Sequence, residues 1–266
     1  MNRGKFIWIS IPVFIVTWDS LCFFLFLLPV IILALAEFYA AMEEKKYFPQ
    51  KIMGLAAGIF VYLAVYVSEK GLDSNFTGLA VAVFLFLFFI ISLVRKDFRN
   101  IIPSVSVTLL GVMYIPYLLA HAVLLRDMRP CGKGFIYLLA LTTAAINGAG
   151  YYVDTKFAGS RMKRFLNQNK SYPGLIAGLL AAILAVFLWA RVSGMAVLKN
   201  YDLSVRFLSG MECFAIGFLI WLTSQAGEFI GPMVISENKA RMLRNISNFL
   251  FSSPLLYYYF KLFVLK

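Results

Sequence analysis

The sequence predicts an all-α integral membrane protein, a single polytopic bundle of about nine transmembrane helices over residues 1–266. Three observations predict it. Hydrophobic residues make up 61% of the chain and charged residues 14%, against roughly half and about a quarter in soluble domains. The mean hydropathy is +0.81, so the chain carries more apolar surface than a soluble core can bury, and lipid is the remaining solvent. The apolar residues fall in nine runs, most of them close to the ~20 residues that a helix needs to cross a bilayer.

In order, the first run, 5–17, is short; Asp19 follows it without a small-residue cleavage site, so it reads as a span and not a cleaved signal. The run 20–41 carries Glu37 near its end, beside the charged Glu43–Lys46 segment. The run 52–67 contains Gly54 and Gly58 at small-xxx-small spacing, which needs only helix packing. The runs 77–94 and 103–125 follow, the second with His121. Next come 135–151, with Asn147 late in it, and 172–190, with the packing pair Gly174 and Gly178. The run 207–226 is punctuated by Glu212 and Gln225, with Glu228 just beyond, and 246–265 completes the set. No long linker, repeat or low-complexity tract interrupts them. The cysteines Cys22, Cys131 and Cys213 show no metal spacing and are expected to be buried small hydrophobes, and one histidine leaves no His/Cys metal or haem set.

The net charge of +12 lacks a basic, aromatic-interleaved soluble surface that would suit nucleic acid. It follows membrane topology instead: with the N-terminus inside, sixteen of the 25 Lys and Arg fall in inner segments. That asymmetry predicts N-in and C-out in a bacterial-type cytoplasmic membrane. The basic loop 152–171 holds Arg161, Lys163, Arg164 and Lys170 interleaved with Met162, Phe165 and Leu166. Such a segment either lies along the lipid interface, cations among phosphates, or is a plain positive-inside loop.

Polar side chains inside spans are costly and therefore informative. His121 and Glu212, near outer ends, suit interfacial or packing roles, and Glu37 can face water. Asn147, Gln225 and Glu228 all lie toward cytoplasmic helix ends. Gln225 and Glu228 are three apart and share a helix face, with Gly227 beside them allowing close backbone approach. A membrane-embedded polar site and simple helix–helix hydrogen bonding both fit this pattern.

The run Asn147-Gly-Ala-Gly-Tyr-Tyr-Val-Asp-Thr-Lys-Phe-Ala-Gly159, continuing from Leu166 to Gly174, resembles the bacterial phosphatidate cytidylyltransferases, the CDP-diacylglycerol synthases. In that family a span ends in DTGAYFVGRxFGK and a basic loop leads to ISPKKTWEG. Tyr151, Val153, Phe157, Lys170 and Gly174 match outright. Ser224-Gln-Ala-Gly-Glu-Phe229 resembles the SQxGDL block, and Met242 to Pro254 with Tyr257 and Tyr258 resembles LDRxDSLLFAAP…YY. Ala36-Glu37-Phe38 is similar to WEF, and Leu109 to Tyr114 to LLGVxY. The ordered set covers most of the chain, with the motif-bearing half at 135–266.

The resemblance implies an activity: phosphatidate attacks the α-phosphorus of CTP, giving CDP-diacylglycerol and pyrophosphate. It also implies Mg²⁺ held by carboxylates, and suggests a homodimer. The departures fall on those carboxylates. Asn147 stands at the DTG aspartate, Glu228 at the GD aspartate, and Arg244, Asn245 and Ser247 replace the D, R and D of LDRxD. The stretch between Phe229 and Met242 is too short for the family's KRxxxxKDxGxxxPGHGG, and only one lysine of the PKKTWEG pair survives, as Lys170. Asp154 is new, replacing a glycine.

Three functions remain open: a pseudoenzyme that keeps a phospholipid- or nucleotide-type cavity for phosphatidate, another anionic phospholipid or a partner protein, a divergent active cytidylyltransferase, and a lipid or small-solute transporter. The resemblance then implies roles by position. Glu228, Asn147 and Lys170 would carry the chemistry, with Glu228 and Asp154 as metal ligands if the enzyme is active. Tyr151, Ser171, Tyr172, Gln225 and Asn245 would line the CTP or headgroup pocket. Arg161, Lys163 and Arg164 would hold the loop on lipid.

Overall fold

The computed structural model describes residues 19–69, 76–94, 101–129, 132–156, 171–193, 209–234 and 241–264. The regular elements among them are helices: α1 (Ser20–Glu44), α2 (Lys51–Glu69), α3 (Phe76–Val94), α4 (Ile101–Val112), α5 (Leu118–Asp127), α6 (Gly132–Lys156), α7 (Tyr172–Ser193), α8 (Gly210–Val234) and α9 (Arg241–Tyr259). A π-helical turn, Met113–Tyr117, joins α4 to α5, and another, Phe260–Val264, extends α9. Among the described residues seven helical segments are long and apolar enough to cross a membrane, α4 to α5 counting as one. The chain is a multi-pass, all-α membrane protein. The apolar run 5–17 lies outside the described residues. The run 246–265 does form α9, but Asn245, Ser247, Asn248, Ser252 and Ser253 dilute its apolar content, so it falls short of the other seven.

Contacts divide the chain into two compact units. One comprises Leu21–Leu124 with Gly231–Ile246; the other comprises Met1–Ser20, Leu125–Ile230 and Ser247–Lys266.

In the first unit, α1 ends in a left-handed turn at Lys46 (φ 63°), where Lys46 N bonds Glu43 O and Tyr47 N bonds Met42 O. This is the helix-stop geometry usually given to glycine, because a Cβ disfavours it. The turn feeds a buried polar cluster. Gln50 donates through its backbone to Thr108 Oγ1 (2.9 Å) and through Nε2 to Phe88 O (3.0 Å) and Ser92 Oγ (2.7 Å), while Tyr39 donates to Thr108 O (2.9 Å). α1 can press onto α2 because a Cβ at Gly54 would strike the Tyr39 ring, and one at Gly58 would meet Leu35 and Pro116. Pro116 has no N–H for the carbonyl four residues back, and the helix widens to a π turn at that point. His121 is buried one turn later, with Nδ1 2.9 Å from Tyr117 O, a packing role. Glu37, expected to face water, accepts from Leu243 N (3.1 Å) in the first turn of α9. A carboxylate there satisfies a helix-terminal donor and complements the helix dipole.

The second unit places α6 to α9 in sequence around close backbone approaches. α6 and α7 pack extensively against each other. A Cβ at Gly217 in α8 would come within 2.9 Å of Ile183 Cα in α7, and Trp221 donates to Leu175 O (3.1 Å). The start of α8 is a capping box: Ser209 N donates to Glu212 carboxylate (2.7 Å) and Glu212 N to Ser209 Oγ (3.2 Å). α9 buries polar residues beside the apolar Leu250, Leu256 and Phe260. Ser247, Asn248, Ser252 and Ser253 are buried, whereas Tyr258, Leu262 and Phe263 are exposed. Of the cysteines, Cys213 is buried as expected; Cys22 is exposed, because its face of α1 points outward and not into the core. Cys131 lies outside the described residues.

Candidate functional site

Three helices of the second unit meet at one polar point. Asn248 of α9 donates through Nδ2 to Asn147 Oδ1 of α6 (3.1 Å) and to Glu228 Oε1 of α8 (3.1 Å). Asn248 is 8% exposed, Glu228 is half-buried and Asn147 is exposed. Gly227 makes the meeting possible, since a Cβ there would lie 2.6 Å from Ser247 O and 3.1 Å from Asn248 N. A carboxylate only accepts, so the edge of Asn248 that faces Glu228 has to be its N–H₂. Both hydrogens are thereby divided between the carboxylate and Asn147. The opposite edge, Asn248 Oδ1, is buried without a hydrogen-bond partner among the described residues, as is Ser224 Oγ. Such a stranded acceptor costs about 1–3 kcal/mol, close to what a hydrogen bond to a charged group returns. Glu228 therefore dictates the orientation of Asn248 at the expense of Oδ1.

A second pair sits where α6 ends and α7 begins. Asp154 Oδ1 accepts from Ser171 N (2.8 Å) and Ser171 Oγ (2.6 Å), and Ser171 Oγ accepts from Gly174 N (3.1 Å). Ser171 is the N-cap of α7, and Asp154 holds that cap by a charge-assisted bond. A Cβ at Gly174 would collide with the Asp154 carboxylate, so the Ser-Tyr-Pro-Gly start of α7 fits only with a glycine at its third helical position. Around these groups Tyr151 is 74% exposed and Tyr172 60%. Lys156 lies 4.6 Å above the Tyr152 ring, a cation–aromatic pair suited to a headgroup boundary.

Of the residues singled out from sequence, Asn147 and Glu228 are brought together through Asn248, and Asp154 and Ser171 directly. Gln225 is buried one turn before Glu228. Tyr151 and Tyr172 are on the exposed surface of the same unit. Lys170, Arg161, Lys163 and Arg164 lie outside the described residues, and of Asn245 only the backbone, in α9, is described. Sequence reasoning missed Asn248. The signal was present: Asn248 and Ser252 are polar at helical spacing inside an apolar run, the same pattern that drew attention to Gln225 and Glu228.

The implied Mg²⁺ can be tested on this donor set. Mg²⁺ takes about six oxygens near 2.1 Å in octahedral array. Here Glu228 is the one carboxylate in the Asn147–Asn248–Glu228 cluster, and the N–H₂ of Asn248 already fills the position between Glu228 Oε1 and Asn147 Oδ1. Asp154 is committed to Ser171. Among the described residues no three His, Cys, Asp or Glu side chains gather into a metal-holding group. These residues do not fit a two-cation centre.

Residues 2–234 match a family model described as the cytidylyltransferase family. No curated protein matches the chain. Asn248 lies beyond the matched stretch, whereas Asn147, Asp154, Ser171 and Glu228 lie within it. With most of its length matched, this multi-pass membrane chain belongs to the cytidylyltransferase family.

Proposed function

We propose that the protein is a phosphatidate cytidylyltransferase-type pseudoenzyme, which binds an anionic phospholipid headgroup and does not transfer cytidylyl groups. The observation that carries this reading is the carboxamide of Asn248 lying between Asn147 and Glu228. Cytidylyl transfer places a triphosphate beside an attacking phosphate, and the charge that develops on the leaving pyrophosphate needs divalent cations. A neutral amide donates hydrogen bonds but cannot neutralise a leaving pyrophosphate. Family membership supports a phospholipid as the ligand, and the Tyr151–Tyr152–Lys156 surface supports a site at headgroup level. The asymmetry of Lys and Arg supports N-in, with the site on the cytoplasmic face of an inner membrane.

The test is conversion of CTP and phosphatidate to CDP-diacylglycerol by the purified full chain in phosphatidate micelles with Mg²⁺, beside Glu228→Ala. No turnover by folded protein that still binds phosphatidate is the expected result. Turnover that Glu228→Ala abolishes would establish a divergent active enzyme and sink the pseudoenzyme reading.

A further inference from the structure

We infer that Asn147 presents its side-chain N–H₂ to a phosphate oxygen of the bound headgroup, oriented by Asn248 and Glu228, so that the site holds the anion without a divalent cation. The inference rests on the reading of the site as an anionic-headgroup site and specifies how it is read.

One charge sets the orientation of the whole cluster. Glu228 only accepts, so Asn248 turns its N–H₂ toward it at 3.1 Å. The same N–H₂ faces Asn147 at 3.1 Å, which fixes the Asn147 oxygen on the inner side. The N–H₂ is the other edge of the same carboxamide, turned away from Asn248, and Asn147 is an exposed residue of α6. Glu228 thus fixes which edge of Asn248 faces Asn147, and accepting that bond at Oδ1 makes the Asn147 N–H₂ a better donor. The outer end has room. A Cβ at Gly148 would meet nothing within 4 Å, and Tyr151 is exposed one turn farther along. An aspartate at position 147 would oppose a phosphate with like charge and require a cation between them. The carboxamide has the same shape and requires none. Glu228 itself does not face the anion: Oε1 is engaged by Asn248 and Oε2 is buried. Asn147 is the contact residue, and Asn248 and Glu228 are positioning residues.

The experiment is thermal unfolding of the detergent-purified full chain titrated with dioleoyl phosphatidate, dioleoyl phosphatidylcholine or inorganic phosphate, each in EDTA and in Mg²⁺. Phosphatidate is expected to raise Tm equally in EDTA and Mg²⁺, with no effect of phosphatidylcholine. Asn147→Ala should weaken phosphatidate about tenfold in both, the equivalent of one hydrogen bond. Asn147→Asp should lose the response in EDTA and recover it with Mg²⁺, a comparison made on one protein and so independent of any folding defect. Glu228→Gln, whose amide accepts either orientation of Asn248, should weaken binding, and Glu228→Asp should restore part of it. A wild-type response that vanishes in EDTA would overturn the cation-free site and leave lipid binding standing. A response to inorganic phosphate equal to that of phosphatidate would keep the amide donor and overturn the lipid source. No response to any anion, in EDTA or Mg²⁺, would overturn both.

Discussion

At Gly227 a single hydrogen decides whether α8 and α9 can touch at the level of the site. A methyl group there would press on Ser247 O and Asn248 N, and neither backbone can yield without moving a helix. Gly227→Ala is expected to cost about 1–3 kcal/mol, the range for overpacking. It should also abolish the Asn147–Asn248 contact, visible as a lowered Tm together with a lost response to phosphatidate. Asn147, Glu228 and Gly227 were legible in the sequence because a polar or hydrogen-only side chain in a lipid span has to be explained. Asn248 was legible by the same rule but passed over, because the residues aligned there with the family's LDRxD pattern drew attention to Arg244 and Ser247 instead. Asp154 shows the opposite limit. Its carboxylate is plain in the sequence, but its engagement with Ser171, seventeen residues on, depends on how α6 and α7 are brought together, which no local pattern encodes.

The helices themselves were largely legible, since apolar runs at 20–41, 52–67, 77–94, 103–125, 135–151, 172–190, 207–226 and 246–265 all lie within or overlap helical segments. Their ends were not, because termini are set by caps. Glu212 illustrates this: read as interfacial or packing, it closes a capping box with Ser209 that fixes the start of α8 three residues after the apolar run begins. Ser209→Ala and Glu212→Ala should each destabilise the chain by about 1 kcal/mol. The double variant should lose less than the sum, because the two bonds are reciprocal; thermal or denaturant unfolding of the three variants measures the coupling. The π turn at Met113–Tyr117 was missed although Pro116 sits inside the run 103–125. Proline within an apolar stretch ends, kinks or widens a helix, and only the packing of Pro116 against Gly58 selects among these.

For the whole molecule, charge asymmetry predicts orientation independently of any motif. In a background with Cys22, Cys131 and Cys213 replaced, Arg129→Cys is expected to react with a membrane-impermeant maleimide added to intact cells. Lys45→Cys should react only after permeabilisation. The reverse pattern would put the Asn147 site on the outer face and contradict the positive-inside assignment. Two levels of information were thus available from one sequence. Composition settles that the chain lives in lipid and is helical. The chemistry of the site depends on which amide faces which carboxylate, a matter of ångströms across three helices.

The buried polar residues of α9 also bear on how that helix is held in the membrane. A segment with Ser247, Asn248, Ser252 and Ser253 on one side is a poor candidate to partition into bilayer alone, because each polar group there awaits a partner. Its partners stand on helices already synthesised: Ser252 meets Thr223 (2.8 Å) and Asn248 meets Glu228. α9 is therefore held to α8 by those hydroxyls and amides, and the polar point at Asn147 exists only where that docking has taken place.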